Sequence, residues 1–312
     1  MIDRVIRLTA FSGGTFRAMA AALLCLGLLT ACDNISRQEL QSLGSKLTRE
    51  DVNFASYEVY AGRSKVAYGT EAAIGQTYPK TVRIASPDGT DVRYFLERDD
   101  AAKTQYLTIR GTANNKNISE DFDIAVRDDR RTKIPIHAGF DSDARAIYGD
   151  AKPYLKTGYR THITGHSLGG AVAAIIGIYA IEDGYRVDRI VTFGQPRFTT
   201  ASGVSKLGFL PLTRVVDEND VIPMLPPAMA SDKTYGPYEH VGPEVILLEG
   251  PRYVYLTSHD ANRLDIGEFW RSIGIADLKD HKIDKYVKRI AEKTSGAIQV
   301  TYNQREKYVA RN

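Results

Sequence analysis

The sequence contains few cysteines, a single tryptophan and little net charge. Its two cysteines, Cys25 and Cys32, both lie in the first 32 of 312 residues. A chain cleaved before Cys32 has no internal disulfide, so its hydrophobic core must hold the fold together. The formal net charge of +3 does not supply the strong basic field that is typical of nucleic-acid-binding proteins. We therefore expect no nucleic-acid partner.

An apolar run near the N-terminus has the layout of an export signal. Three arginines precede or flank the run from Ala18 to Leu29, which is short for a membrane-spanning helix. The sequence Leu29-Thr30-Ala31-Cys32 then resembles a bacterial lipobox, in which a signal peptidase cuts before a cysteine that becomes lipidated. We therefore expect residues 1–31 to be a lipoprotein signal peptide and Cys32 to carry the lipid.

Lipidation at Cys32 would anchor the protein to a membrane, because two or more acyl chains hold a protein firmly there. We expect it in the bacterial cell envelope, facing the periplasm or the exterior. Asp33 resembles an inner-membrane retention signal of some Gram-negative bacteria, and the choice between inner and outer membrane stays open. Residues 32–53 predict a tether with a short helix from Arg37 to Leu47. The sequence implies no obligate protein partner.

Residues 54–312 predict a single domain in which strands alternate with helices. The predicted helices are Asp141–Leu155, Ala171–Ile181 and one after His281. The predicted strands are Thr81–Ala85, Asp91–Glu97, Gln105–Arg110, Arg160–Thr164, Arg189–Phe193, Thr213–Val216 and a hairpin of Val245–Leu248 with Arg252–Leu256. This alternation predicts an α/β fold with a mostly parallel central sheet and helices on both faces.

The sequence Gly165-His166-Ser167-Leu168-Gly169 has the G-x-S-x-G pattern of a nucleophile elbow. Glycine on both sides of the serine suits a tight turn in which a side chain would clash with the neighbouring strand or helix. The turn would expose the Ser167 hydroxyl and place the Leu168 N–H at a helix N-terminus, where it can bind an oxyanion. An alternative interpretation makes Ser167 an ordinary helix N-cap.

A serine nucleophile needs a base, and the base needs an acid that orients it. In α/β-hydrolases these residues follow in the order serine, acid, histidine. The candidates downstream of Ser167 are Asp217, Glu218 and Asp220 for the acid and His240, His259 and His281 for the base. The residues alone leave this choice open. The backbone N–H of Thr112, after the strand from Gln105 to Arg110, is a candidate second oxyanion donor.

From about Thr104 to about Ile290 the chain resembles the class 3 lipases, the fungal triacylglycerol lipase type of α/β-hydrolase. Its landmarks are, in order, Ile109-Arg110-Gly111-Thr112, His137-Ala138-Gly139-Phe140, Gly165 to Gly170, Phe193-Gly194-Gln195-Pro196-Arg197, Asn219-Asp220-Val221-Ile222-Pro223, Tyr238 to Gly242, and Asp280-His281. The resemblance implies Ser167 as nucleophile, Asp220 as acid and His281 as base, with Thr112 and Leu168 as oxyanion donors. It implies a non-catalytic histidine at His240.

The resemblance implies a serine lipase or carboxylic ester hydrolase that cleaves acylglycerol or phospholipid esters through an acyl-enzyme, with no metal or cofactor. Fungal members carry an amphipathic lid helix after the oxyanion strand, whereas residues 113–123 are mostly polar here, which argues against strong interfacial activation. Two alternatives stay open. The first is an esterase for short soluble esters, and the second is a lipid-binding envelope lipoprotein with a vestigial site.

Overall fold

The computed structural model describes residues 52–112, 125–228, 234–263 and 279–309. The predicted signal peptide, Cys32, the short helix predicted after Arg37 and the lid segment 113–123 lie outside the described residues. Within the described ranges, no helix is long and apolar enough to cross a membrane.

Helices and strands alternate along most of the described chain. The helices are α1 (Phe54–Val66), α2 (Glu71–Thr77), α3 (Ala138–Ala151), α4 (Leu168–Glu182), α5 (Ala201–Val204) and α6 (Ile283–Thr294), with 3₁₀ turns at Lys152–Tyr154, Ile222–Met224 and Tyr302–Tyr308. The strands are β1 (Thr81–Ala85), β2 (Tyr94–Asp99), β3 (Thr104–Ile109), β4 (Val126–Asp128), β5 (Pro135–His137), β6 (Arg160–His166), β7 (Val187–Phe193), β8 (Thr199–Thr200), β9 (Leu212–Asp217), β10 (Tyr238–Glu239), β11 (Glu244–Leu247), β12 (Arg252–Leu256) and β13 (Ile298–Gln299).

Nine of the described strands form one sheet in the order β1-β2-β3-β6-β7-β9-β11-β12-β13. Its centre is parallel, since β3, β6, β7, β9 and β11 pair in parallel with their neighbours. The antiparallel pairs lie towards the edges, at β1-β2-β3 and at the predicted hairpin of β11 with β12. The expected mostly parallel sheet is therefore present.

The two faces of the sheet carry different helices. Along β7, Ile190 packs into the core beneath α3 and α4, whereas its neighbours Val191 and Phe193 pack with α1 and α6. Successive side chains of a strand point to opposite faces, so the two helix pairs lie on opposite sides of the sheet. Helix α4 is buried from Gly169 to Ala180, as expected for a helix that is apolar on every side.

Several parts of the described fold were not predicted from the sequence, among them helices α1, α2 and α5, strand β13 and a small second sheet. Helix α1 buries residues at helical spacing, but these include tyrosines and Ser64, so its apolar pattern is weak. A small sheet in the order β10-β8-β5-β4 is built from strands of two or three residues, which are too short to leave a pattern. Helix α3 begins at Ala138, three residues before the predicted start, because the His137 side chain caps it by accepting from the Phe140 N–H.

Candidate active site

Ser167 lies in a strained turn between β6 and α4. Its φ of 61° and ψ of −137° are unusual for a residue with a side chain. A Cβ on Gly165 would lie 2.2 Å from the Gly169 carbonyl oxygen, and a Cβ on Gly169 would lie 2.5 Å from that of Ile109. The Ser167 side chain makes no capping hydrogen bond. Ser167 thus occupies the N-cap position of α4 without capping it, and its strained backbone fits the predicted elbow rather than an ordinary N-cap.

Asp220 and His281 form a buried pair near this turn. The Asp220 Oδ2 lies 2.7 Å from the His281 Nδ1, and the two residues are 3% and 1% exposed. Asp220 also accepts from the Tyr286 hydroxyl and, at 2.9 Å, from the Ile222 N–H. Burial raises the pKa of Asp220, but attraction to His281 and these hydrogen bonds outweigh burial, so the pKa lies below its ordinary value. Asp220 is therefore ionised and fixes the imidazole orientation.

The two other acid candidates have cationic partners instead of a histidine. Asp217 ends β9 and pairs with Lys285 at 2.8 Å and with Arg289 at 3.3 Å. Glu218 accepts from the Arg305 guanidinium at 2.8 Å. Asp220, in contrast, is the acid whose carboxylate is hydrogen-bonded to the His281 imidazole.

The two other downstream histidines have environments that differ from that of His281. His240 is buried and its Nε2 lies 2.7 Å from the Pro223 carbonyl oxygen, where it supports the turn after Asp220. His259 is exposed. The structure therefore leaves His281 as the histidine that meets an acid, in the chain order that the sequence predicts.

The side-chain atoms that would exchange a proton are buried and unpaired. Among the described residues, neither the Ser167 Oγ nor the His281 Nε2 has a hydrogen-bond partner. The His281 ring stacks on the ring of His166, the residue before the serine, with the ring centres 4.6 Å apart. Hydrogen bonds between nucleophile and base are often formed only with substrate bound. This arrangement can therefore pass the serine proton to His281 once an ester enters.

Two candidate oxyanion donors flank Ser167. The Leu168 N–H belongs to the first turn of α4, where backbone N–H groups have no partner within the helix. Thr112 follows β3, whose last residue, Ile109, pairs with Gly165 of β6. A Cβ on Gly111 would lie 3.0 Å from the Ser167 Cβ, so this loop runs directly beside the serine. The structure thus places both predicted donors at the elbow.

Tyr286 and Tyr68 are site residues that the sequence analysis did not single out. Tyr286 lies on α6, five residues after His281, and its fully buried hydroxyl donates to Asp220 and accepts from the Asp217 N–H. Tyr68 reaches the site from the turn after α1, and its hydroxyl lies 2.8 Å from the His166 Nδ1. Tyr286 could have been found from the sequence because it lies just downstream of His281, whereas no local sequence pattern identifies Tyr68.

A serine elbow at the carboxyl end of a parallel strand, with an acid–histidine pair after the later strands, defines a site of the α/β-hydrolase type. Residues 106–230 match the model of the family Lipase (class 3). The match includes Thr112, the elbow and Asp220, and it ends before His281. Together with the similarity to fungal lipases described below, this match supports a relationship of the chain to the class 3 lipase family.

The chain is similar to several fungal lipases. It is 29% identical to a lipase of Rhizopus niveus over 190 residues, which are 56% of this chain and 47% of that protein. It is 26% identical to secreted mono- and diacylglycerol lipase 1 of Fusarium solani over 235 residues, or 70% and 66% of the two chains. The chain thus spans about half the length of the Rhizopus relative and about two thirds of the Fusarium one.

The solved structure of lipase II from Rhizopus niveus aligns with a TM-score of 0.58 at 22% identity. The alignment covers 73% of this chain and 92% of the lipase. This likeness is a likeness of fold, and it confirms the α/β-hydrolase fold expected from the sequence.

Proposed function

We propose that the protein is a serine ester hydrolase that cleaves acylglycerol esters through an acyl-enzyme. The observation that carries this proposal is the buried Asp220–His281 hydrogen bond beside the strained Ser167. The class 3 lipase match and the fungal relatives named as lipases support an acylglycerol substrate. The whole constellation is retained in the chain, which favours an enzyme over a vestigial lipid-binding site.

In the proposed reaction the Ser167 Oγ attacks the ester carbonyl carbon and the His281 Nε2 takes the serine proton. Asp220 stabilises the imidazolium that forms. The N–H groups of Leu168 and Thr112 bind the tetrahedral oxyanion. The intermediate then expels the alcohol, which takes the proton back from His281, and leaves an acyl ester on Ser167. His281 next deprotonates a water molecule, whose attack releases the fatty acid and restores the serine.

The decisive experiment compares Ser167→Ala with the wild-type protein on p-nitrophenyl esters and acylglycerols. We expect turnover to fall at least about 10⁴-fold, because removal of a serine nucleophile leaves only binding and oxyanion stabilisation. Ser205→Ala, at an exposed serine of the turn after α5, is the matched control. Circular dichroism checks that both variants fold. Full activity in Ser167→Ala would contradict the proposal.

A substrate series decides between ester classes. Hydrolysis of long-chain acylglycerols supports a lipase, a maximum at acyl chains of two to four carbons supports an esterase for short soluble esters, and release of fatty acid from phospholipid supports a phospholipase. A fluorophosphonate probe adds an independent readout, because it labels an activated serine whatever the natural ester is. Folded protein that neither turns over esters nor reacts with the probe would favour the vestigial lipoprotein.

We also propose that the enzyme works in the bacterial cell envelope, lipidated at Cys32 and facing the periplasm or exterior. This proposal is supported by the arginines, the apolar run and the Leu29-Thr30-Ala31-Cys32 sequence. Cys32→Ser should move the protein from the membrane fraction to the soluble fraction when the full chain is expressed in a bacterial host. If Cys32→Ser stays with the membranes as fully as wild type, the lipid anchor is wrong.

A further inference from the structure

A series of polar contacts joins the α1 region to strand β6, which ends at the elbow. Its members lie four residues apart on the helix side and two residues apart on the strand. These spacings correspond to about 6 Å along a helix and about 6.6 Å along a strand, so the contacts stay in register. The pairs, at 2.8, 3.2 and 2.8 Å, are Tyr60 with His162, Ser64 with Thr164 and Tyr68 with His166.

The last pair has a fixed direction because His166 is neutral. Burial, followed by the proximity of His281, lowers the pKa of His166 to about 3, so the ring carries one proton at neutral pH. The His166 Nε2 lies 2.7 Å from the His281 backbone carbonyl oxygen, which can only accept a hydrogen bond. The proton therefore sits on Nε2, and the His166 Nδ1 accepts from the Tyr68 hydroxyl.

The Tyr68 hydroxyl also contacts the oxyanion loop. A Cβ on Gly111 would lie 2.7 Å from this oxygen, so the backbone before Thr112 packs directly on the phenol. Burial raises the pKa of Tyr68, and the Gly111 backbone opposes only part of that rise. The phenol therefore stays protonated and donates to His166 while it packs against Gly111.

We infer that Tyr68 and His166 are positioning residues that hold the base His281 in register with the oxyanion loop. Gly111 packs on the Tyr68 hydroxyl, and hydrogen bonds then run from Tyr68 to His166 and from His166 to the His281 carbonyl oxygen. The His166 ring also stacks on the His281 ring, so one imidazole contacts both the backbone and the ring of the base. This inference rests on the proposed ester hydrolysis, in which His281 must meet the Ser167 proton.

Loss of the Tyr68 hydroxyl has a definite consequence for the base. Without a donor at Nδ1, the His166 tautomer with its proton on Nδ1 is less strongly disfavoured, because only the His281 carbonyl oxygen still selects the Nε2–H form. That tautomer turns a lone pair on Nε2 towards the His281 carbonyl oxygen, and two acceptors 2.7 Å apart repel each other. The backbone of His281 then shifts, and a misplacement of about 1 Å can cost on the order of 100-fold in rate.

Tyr68→Phe and Tyr60→Phe form a matched pair of variants. Each removes one phenol that lies 2.8 Å from the Nδ1 of a β6 histidine. The difference is on the far side of the imidazole, because His162 stacks on Tyr106 at 4.7 Å whereas His166 bonds the proposed base. We expect kcat for ester hydrolysis to fall about 10- to 100-fold in Tyr68→Phe with KM within twofold, and to change less than twofold in Tyr60→Phe.

A second pair of variants tests His166 itself. His166→Gln keeps an N–H donor of similar length for the His281 carbonyl oxygen, whereas His166→Leu keeps only bulk. We expect His166→Gln to retain at least fivefold more kcat than His166→Leu at equal urea midpoints. Equal kcat in the two variants would overturn the donor role that we assign to His166.

Histidine ¹⁵N NMR spectra report the same contacts without turnover. We expect the Nε2–H tautomer of His166 in wild type and Tyr60→Phe, and a displaced His281 ring signal in Tyr68→Phe alone. If the wild type hydrolyses esters but Tyr68→Phe matches Tyr60→Phe in kcat and in its His281 signal, the inference is overturned and the proposed function stands. If the wild type hydrolyses nothing, the proposed function falls, and the His281 signal alone decides the positioning role.

Discussion

Asp217 ends strand β9 and Asp220 lies three residues further on; both are buried, but they bind different kinds of partner. Asp217 faces the cations Lys285 and Arg289. Asp220 faces an imidazole and a phenol, those of His281 and Tyr286. Both sets of partners come from α6 or the turn that precedes it, and the adjacent residues Lys285 and Tyr286 contact different aspartates.

The pKa values of the two carboxylates move in opposite directions. Burial raises the pKa of Asp217, and its pairing with Lys285 and Arg289 does not cancel that rise. Burial also acts on Asp220, but His281 and three hydrogen bonds lower the pKa overall. The comparison teaches that the partners of two buried carboxylates three residues apart can shift their pKa values in opposite directions. It supports the proposed catalytic role of Asp220 and a role for Asp217 in attaching α6.

The largest expected effect is that of Asp220→Asn. An amide in place of the carboxylate cannot stabilise the imidazolium and favours the wrong tautomer of His281, which typically costs about 10⁴-fold in kcat. Steady-state kinetics on a p-nitrophenyl ester measure the loss, and circular dichroism shows whether the fold is kept. Activity within tenfold of wild type would mean that another group orients His281.

Asp217→Asn should instead act on stability. It leaves Arg289 without its carboxylate, whereas Lys285 keeps Asp280, and removing one partner of a buried ion pair costs about 3–5 kcal/mol in the free energy of unfolding. Urea unfolding measures this loss, and kcat per folded molecule should stay within tenfold of wild type. A drop in kcat as large as that of Asp220→Asn would contradict the proposal that Asp217 acts on stability and Asp220 on catalysis.

The pH dependence of that stability loss has a predicted sign. The raised pKa of Asp217 means that the native state keeps a proton which the unfolded state has already lost. Wild-type stability contributed by this group therefore falls as pH rises from the ordinary aspartate pKa through the raised one. Asp217→Asn lacks this fall, so the stability gap between the two proteins should narrow over that interval. A gap that widens instead would show that the Asp217 pKa is lowered.

Tyr286→Phe tests the residue whose hydroxyl donates to the Asp220 carboxylate and accepts from the Asp217 backbone N–H. Burial, and then the charges of Asp220 and Asp217, raise the pKa of Tyr286 well above its ordinary value, so the phenol is a permanent donor. A hydrogen bond to a charged group contributes about 1.5–3 kcal/mol, and we expect kcat to fall about 10- to 100-fold. Tyr159→Phe, which removes an exposed phenol–carboxylate bond to Asp100, is the control. Equal kcat in the two variants would contradict a contribution of Tyr286 to the reaction.

The sequence predicts the elbow well because its requirements are local. The close approaches at Gly165 and Gly169 admit no side chain, and this constraint is written in five adjacent residues. The choice of Asp220 over Asp217 needed the family resemblance, since both follow one strand and both become buried. Physical reasoning from residue types alone left that choice open because the partners are 61 or more residues downstream.

The contacts from Tyr68 and Tyr286 were beyond local patterns. Tyr68 is 98 residues from His166, and the helix before it was not predicted because tyrosines and Ser64 occupy its buried positions. The eight predicted strands of the large sheet, in contrast, were found to within about three residues at their ends. Continuous apolar runs mark buried parallel strands, whereas a phenol that completes a site across the sheet has no periodicity.

The smallest expected effect concerns Lys293, which lies on α6 one helical turn beyond Arg289. Its ammonium group is buried and donates to the carbonyl oxygens of Leu248, Gly250 and Arg289 at 2.8, 2.8 and 3.0 Å. Burial lowers the pKa of Lys293 from 10.5 to about 8. Between these values the unfolded chain binds a proton that the native state has released, so stability should rise with pH by at most about 1.4 kcal/mol per pH unit.

Lys293→Met should remove this rise, and Lys288→Met, at an exposed lysine of the same helix, should keep it. Urea unfolding of the three proteins between about pH 8 and pH 10, the interval set by the two Lys293 values, measures the slopes. Parallel slopes in wild type and Lys293→Met would mean that Lys293 keeps its proton in the native state. In that case the native state carries a full positive charge on Lys293, which interacts with the charge of Asp217. Asp217 and Asp220 then differ in the cations around them as well as in their hydrogen bonds.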